Sequence, residues 1–353
     1  MKITQLECWA HHMRLAEPYT IAYETIDTAP NVFLKAQTDT GLTGWGCAAP
    51  DLEVTGETAE MVARTFNDTI EPFLHGQDPF RYALLLQELR NYIPHAHSAL
   101  AMADMLLYDL MAQQAGEPLY KLLGGFRTSI PTSITIGILP VRETVERAAA
   151  FIGRGFHILK LKGGASLEED VEKVMLVREK VGKGIEIRFD ANQGYTVEDA
   201  IAFIRRTADA RVELLEQPTS RHNEELLKEV AANVSIPVMA DESLMTLKDV
   251  FHLTSRGCID MINIKLMKVG GIMEAMHINS VAKSDNVEAM VGCMDESALG
   301  IAADLHFALS RPNILYADLD GHLDLIDDPF AGMVRLEEGV LYPMEGPGLG
   351  VKG

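Results

Sequence analysis

The sequence is short of cysteine and of positive charge. Its four cysteines, Cys8, Cys47, Cys258 and Cys293, lie far apart and are never spaced CxxC, which argues against a zinc site or a disulfide framework and leaves free thiols. Against 51 Asp and Glu stand 31 Lys and Arg, a formal net charge of −20. Such a surface repels phosphate backbones and anionic lipid, and no Lys/Arg cluster with interleaved aromatics offsets it. Nucleic-acid and membrane partners are therefore not expected, whereas a cationic ligand is permitted. No stretch approaches membrane-spanning length free of charge, and the opening MKITQLECWAHHMRL holds no continuous apolar run, so a cytoplasmic protein is expected. What is present is the balance of an ordinary folded chain: 47% hydrophobic and 23% charged residues over 353 positions, enough for one large domain or two of moderate size.

From about residue 130, short runs rich in Val, Ile and Leu alternate with amphipathic stretches of helical period. The runs are TSITIG (132–137), HILKLK (157–162), IEIRFD (185–190), VELLEQ (212–217), PVMADE (237–242), DMINIK (260–265), VEAMVG (287–292) and ILYADLD (314–320). Between them, segments such as VRETVERAAAFIGR and VEDAIAFIRRTA place apolar residues at intervals of three and four. Eight evenly recurring strand-and-helix units predict an α/β fold with a closed barrel of the triosephosphate isomerase type rather than an open doubly wound sheet. Residues 1–125 differ. Alternating segments KITQLECWAHHMRL and NVFLKAQTDTGLTGWGCA predict an antiparallel meander, followed by helices such as SALAMADMLLYDLMAQQAG. The expected organisation is an α+β capping domain over 1–125, a (β/α)7β barrel over 126–324 lacking its final helix, and a segment 325–353 packing back on the capping domain.

Barrel active sites lie at the C-terminal ends of the strands. There the sequence puts Lys160 and Lys162 after the second strand, Asp190 after the third, Glu216 after the fourth, Asp241 after the fifth and Lys265 after the sixth, with 26, 25 and 24 residues separating the last four in turn. One charge at a strand end means little, but six in succession predict a site. Three carboxylates converging from neighbouring strands repel one another unless a cation sits among them. An all-oxygen set suits a hard ion, and Mg2+ fits best. Asn192 and Gln193 are either orienting groups for this site or turn residues. Lys162 and Lys265, on strands four apart in a ring of eight, approach the centre from opposite sides. Positive charge nearby and partial desolvation are expected to lower a lysine toward useful basicity. This arrangement suits removal of a proton α to a carboxylate on one face and its return on the other, with the outcome epimerisation or racemisation.

In these residues the chain resembles the enolase superfamily, and within it the muconate-lactonising subgroup. The resemblance runs through KLK (160–162), DANQGY (190–195), EQP (216–218), ADES (240–243), NIKLMKVGG (263–271) and GCMDES (292–297), in order on successive strands. Cycloisomerases, o-succinylbenzoate synthases, N-acylamino acid racemases and dipeptide epimerases share this subgroup. The eighth strand discriminates: its ADLDG ending puts Asp318 and Asp320 on one face and is similar to the DxD motif of dipeptide epimerases, where the acids hold the substrate's α-ammonium group. An acidic turn is the plainer alternative.

The resemblance thus implies a Mg2+-dependent dipeptide epimerase, with a dipeptide as small-molecule partner and a homo-oligomer as the expected assembly. Lys162 and Lys265 would transfer the proton, while Lys160 contacts the substrate carboxylate. The capping loops carry Glu17, Glu24 and Asp27, then Asp51, Glu53 and Glu57, with no Lys or Arg between Arg14 and Lys35. With Asp295 near the seventh strand's end, they predict a pocket that disfavours acidic dipeptides and prefers a cationic C-terminal residue, with an apolar one next. Glu296 is expected to position a lysine or a substrate group, and Thr135 and the GLGV ending to line the pocket. The alternatives are an L-Ala-D/L-Glu epimerase, a cycloisomerase or N-acylamino acid racemase with the same lysines, and a barrel that only binds ligands.

Overall fold

The capping sheet is built from three antiparallel strands, β1 (Ile3–Thr20), β2 (Thr25–Thr38) and β3 (Thr43–Ala48), in that order. The structure, a computed structural model, describes residues 1–20 and 25–351. Glu24 lies outside them. One face of the sheet is covered by the helix His97–Ala115, whose residues Ser98 to Ala112 are all buried. Contact is close because Gly46 has no side chain: a Cβ there would lie 2.1 Å from the Met102 carbonyl oxygen. The same helix ties the cap to the barrel. Asp104 accepts hydrogen bonds from the Ile272 and Met273 amides at 2.6 and 3.1 Å, capping the barrel helix Ile272–Ser284 at its N-terminus.

After a short strand β4 (Ile130–Pro131) come eight parallel barrel strands: β5 (Ile134–Ile136), β6 (Ile158–Lys162), β7 (Glu186–Asp190), β8 (Leu215–Glu216), β9 (Val238–Ala240), β10 (Met261–Ile264), β11 (Glu288–Gly292) and β12 (Ile314–Asp318). Each pairs with its sequence neighbours, and seven long helices connect them, including Val197–Arg206 and Leu247–Ser255, both opened by capping boxes. The ladder does not continue between β12 and β5. That seam is joined by Ser133 N to Ala317 O at 3.1 Å, Leu319 N to Thr132 Oγ1 at 2.9 Å and Ser133 Oγ to Asp318 Oδ1 at 2.6 Å. VELLEQ contributes only the two-residue strand Leu215–Glu216, although Glu213, Leu214 and Gln217 on either side also hydrogen-bond to Ile187, Phe189 and Met239 of the adjacent strands.

Side chains two apart on a strand share a face, and this rule builds the barrel interior in layers. Leu214, Met239, Met261 and Met290 form a buried apolar cluster with Tyr316 against it. Two residues further along the same strands stand Glu216, Asp241, Asn263, Gly292 and Asp318; Asp190 is in register with Glu216 and Lys162 with Asp190, while Lys160, in register with Arg188 one inward position below, reaches up into this layer. The polar layer thus rests on a buried floor that is apolar except for Arg188, whose guanidinium lies over the Tyr316 ring and pairs with Glu213.

No helix follows β12, as the (β/α)7β reading requires. Instead the chain returns to the cap, where Ala16 N donates to Asp324 O at 2.7 Å and Ile326 N to Arg14 O at 3.0 Å, and Phe330 packs on Phe33 and Trp45 at ring separations of 4.9 and 5.2 Å. The hairpin β13 (Val334–Glu337) and β14 (Val340–Pro343) then adds to β4. No described helix is long and apolar enough to cross a membrane.

Candidate active site

Asp190, Glu216 and Asp241 end three adjacent strands, and one carboxylate oxygen from each lies within 4.8 Å of the others. All three are buried. Their orientation is fixed by neighbours. Asn192 N donates to Asp190 Oδ1 at 2.9 Å, Asn263 Nδ2 to Glu216 Oε1 at 2.8 Å, and Asp241 N donates to the Gln217 side chain at 2.9 Å. Gln217 holds a left-handed backbone (φ +31°), which turns its amide side chain across to Thr219 O and Ser243 Oγ and locks the β8 and β9 ends together. Asn192 also donates to Glu242 Oε1 at 3.2 Å, so the DANQG segment both turns and orients. Gln193 serves the turn, accepting from Arg221 N.

The lysines neutralise this cluster. Lys160 Nζ stands 3.1 Å from Asp190 Oδ2, 2.9 Å from Glu216 Oε2 and 2.8 Å from Asp318 Oδ2. Lys162 Nζ lies 2.7 Å from Asp190 Oδ2. From the other side, Lys265 Nζ lies 2.9 Å from Asp241 Oδ2. Their protonation differs from the sequence expectation. Burial pulls Lys160 down, but Asp318, Glu216 and Asp190 outweigh it and hold the ammonium well above its ordinary range. Lys265 follows the same pattern: burial pulls it down, but Asp241, through its charge and its hydrogen bond, together with Glu216 outweighs it and holds the ammonium above its ordinary range. The carboxylates, not the neighbouring ammonium groups, set the lysine charge in this arrangement.

Burial raises Glu216 to about 7, with the Asp190 charge adding to it, and its Oε2 accepts no hydrogen bond, having only the Lys160 ion pair. A hard divalent cation fits this donor set of three acidic oxygens, one of them short of a donor, with no His or Cys among the three ligands.

Above the triad opens a cleft between cap and barrel mouth. It is lined by Lys160, Lys162, Lys265, Thr135, Asp318 and Asp320 on the barrel side. Asp51 and Asp295 also border it, and both reach a second, adjoining acidic cavity that includes Asp27 and Glu60. Thr135 acts through its backbone, its N–H meeting Asp320 Oδ2 at 2.6 Å. Burial and the Asp318 charge push Asp320 up to about 7, whereas Lys160 and Ser133 overcome burial and hold Asp318 at about 2. Glu296 is fully buried behind Lys265 and takes Met294 N at 2.9 Å. The GLGV ending is not in the cleft: Leu349 N binds Asp109 Oδ1 at 2.8 Å, and Gly348 O receives Leu119 N. It staples the tail to the long capping helix.

Four groups were not foreseen. Lys268, fully buried, donates to both the carbonyl and Oδ1 of Asp241. Asn263 was legible, being two residues before Lys265 on an inward face. Glu242 lines the cleft beside Asp241. Arg147 reaches the rim from the helix Val141–Gly153 and pairs with Glu17, supplying a cation that the capping loop itself lacks.

A capped (β/α)7β barrel with an acid triad flanked by facing lysines is the architecture of one protein class, and sequence comparison agrees. Residues 3–124 match the mandelate racemase / muconate lactonizing enzyme N-terminal domain, and residues 143–352 the enolase C-terminal domain-like family. The chain belongs to the mandelate racemase / muconate-lactonizing enzyme family of the enolase superfamily. It is 41% identical to an L-Lys-D/L-Arg epimerase of Desulforapulum autotrophicum, covering 100% of this chain and 99% of that one. The dipeptide epimerase of Enterococcus faecalis V583, solved with Mg and L-Leu-L-Tyr, is 39% identical with a TM-score of 0.95 over 99% of each chain. The substrate-liganded L-Ala-D/L-Glu epimerase of Bacillus subtilis is 36% identical with a TM-score of 0.98, over 100% of this chain and 99% of that one.

Proposed function

We propose that this protein is a Mg2+-dependent dipeptide epimerase that inverts the α-carbon of the C-terminal residue by proton transfer between Lys162 and Lys265. The observation that carries the proposal is the placement of these two ammonium groups, from strands on opposite sides of the barrel, at one cleft above the acid triad. Asp190, Glu216 and Asp241 would hold the metal. When bound, it supplies positive charge that stabilises the developing negative charge on the substrate carboxylate.

The chain's own groups do the rest. Asp318 and Asp320 receive the substrate's α-ammonium, which fixes the dipeptide's direction. One lysine, acting as the neutral amine, takes the α-proton and becomes an ammonium, and the opposite lysine, starting as the ammonium, delivers its proton to the other face and is left as the amine. Lys160 adds positive charge beneath the carboxylate, anchored by Asp318. The cap closes the cleft above and limits water.

Side-chain preference follows from charge. Apart from the three lysines, Arg147 is the one cation among the described residues lining the cleft, and it is paired with Glu17; the acids Glu17, Asp51, Asp295 and Asp324 share the outer wall. A cationic C-terminal residue is favoured, then an apolar one, and a glutamyl side chain is disfavoured. Asp51 and Asp295 are proposed to face it. The protein is proposed to act in the cytoplasm as a homo-oligomer, which sedimentation of the purified chain tests.

The decisive experiment incubates the protein with a dipeptide library and Mg2+ in deuterated water and follows α-hydrogen exchange by mass spectrometry. Exchange at the C-terminal residue of Lys- and Arg-containing dipeptides is expected. No exchange on any dipeptide would defeat the epimerase reading, and preference for L-Ala-L-Glu would overturn the cationic pocket alone.

A further inference from the structure

The turn after β11 and the helix Ala298–Ser310 bury two carboxyl groups side by side. Glu296 and Asp304 are both fully buried, and each is the other's charged neighbour. Three of their four oxygens, Glu296 Oε2 and both of Asp304, lack a partner with hydrogen-bond geometry. Only Glu296 Oε1 is satisfied, by Met294 N. The space is reserved for the pair: a Cβ at Gly300 would lie 2.5 Å from Glu296 Oε2.

Two adjacent buried carboxylates do not both ionise, because their repulsion adds to the cost of desolvation. An apolar pair would fill the same volume without that cost. The pair lies within electrostatic reach of Lys265, and Asp304 faces the Leu266 amide, next in sequence. The other titratable groups around it are Asp295 and Cys293 from the same turn and Cys47 from β3. Lys265 is the only cation in this set.

We propose that Glu296 and Asp304 share one proton and, through the single negative charge that remains, act as the positioning group for Lys265. Among the described residues no such carboxyl pair faces Lys162, and the single buried carboxyl Glu242 lies within electrostatic reach of both lysines. The two faces of the cleft are then chemically unequal. The inference rests on the epimerase reading for its kinetic test, and has a second test that does not.

Asp304→Asn and Glu296→Gln each keep shape and remove the shared proton while leaving one carboxylate, and the double variant Glu296→Gln/Asp304→Asn removes the negative charge as well. In infrared difference spectra of the substrate-free protein, each substitution should remove a protonated-carboxyl C=O band present in the wild type. In deuterated water, α-hydrogen exchange is read separately from the two epimers of an active dipeptide, with Lys265→Ala identifying the epimer whose proton faces Lys265. In the double variant, exchange from that epimer should fall roughly 10- to 100-fold with an altered pH profile, the loss expected when a catalytic group is misplaced. Exchange from the other epimer should stay within about twofold. An unchanged carboxyl band in both single variants, or unchanged exchange or equal losses for both epimers in the double variant, overturns the proposal. Absence of exchange in the wild type would instead count against the epimerase reading, and the band would still decide whether the proton is shared.

Discussion

Lys268 and Lys265, three residues apart, grip Asp241 from two directions. Lys268 holds its carbonyl and Oδ1, and Lys265 its Oδ2 at 2.9 Å. The short helical turn Leu266–Val269 brings both ammonium groups to one carboxylate. Asp241 is accordingly held far below the ordinary carboxylate range, the lysines overcoming the opposing effect of burial.

Removing one partner of a buried ion pair leaves the other uncompensated. Lys268→Met should therefore destabilise the protein by about 3 kcal/mol in the absence of metal. Saturating Mg2+ should recover part of that loss, because it supplies a replacement charge. Denaturant unfolding with and without Mg2+ checks both statements, and an equal deficit under the two conditions contradicts the second.

Metal binding by the native state alone raises stability by mass action. Mg2+ at about 100 times its dissociation constant should add about 2.7 kcal/mol, and Asp190→Asn or Glu216→Gln should abolish the increment. Chelation should also eliminate activity, restored on readdition of Mg2+. Thermal melts over a magnesium titration provide the measurement.

The facing lysines make separate predictions. Lys162→Ala and Lys265→Ala should each reduce epimerisation by about 10² to 10⁴, the usual worth of a general acid or base. If each acts on one face, each variant should still exchange the α-hydrogen of one epimer only, and the two variants should differ in which. Proton NMR in deuterated water distinguishes this from loss of exchange on both sides.

Asp318→Asn or Asp320→Asn should weaken binding of free-amine dipeptides by roughly 10- to 100-fold, the cost of losing a hydrogen bond to a charged group. N-acylated dipeptides should be affected much less. Comparing KM for the two substrate series tests it, and equal effects would favour an N-acylamino acid racemase or a cycloisomerase.

Asp104 and Asp109, on the long capping helix, are pushed by burial from an ordinary 3.8 up to about 7, despite the amides that bond them. Their folded-state values are raised, so the native state binds more protons than the unfolded chain across this interval. Stability from these groups is present below 3.8 and is lost as pH rises toward about 7, at up to roughly 1.4 kcal/mol per pH unit for each proton released. Asp318, held down at about 2 by Lys160 and Ser133 against the effect of burial, acts oppositely, its contribution present above 3.8 and lost as pH falls toward 2. Asp104→Asn should flatten the dependence of unfolding free energy on pH between about 4 and 7.

The sequence itself determined the order of eight apolar runs and which charged residue stands at the end of six of them. Two-residue periodicity makes this legible: an inward Met, Leu or Tyr is followed two positions later by an inward acid or amide on β8, β9, β10 and β12. KLK and DLD are each two successive inward positions, which is why like charges share a face. Tertiary structure decided what local pattern does not encode. It shows which carboxylate each ammonium contacts, that these contacts raise rather than lower Lys160 and Lys265, and that Arg147 crosses from a barrel helix to the cap. It also brings Glu296 against Asp304, and closes the GLGV ending on Asp109 instead of the cleft. Charge depends on distance in three dimensions, so groups separated along the chain set one another's protonation only once the barrel has closed.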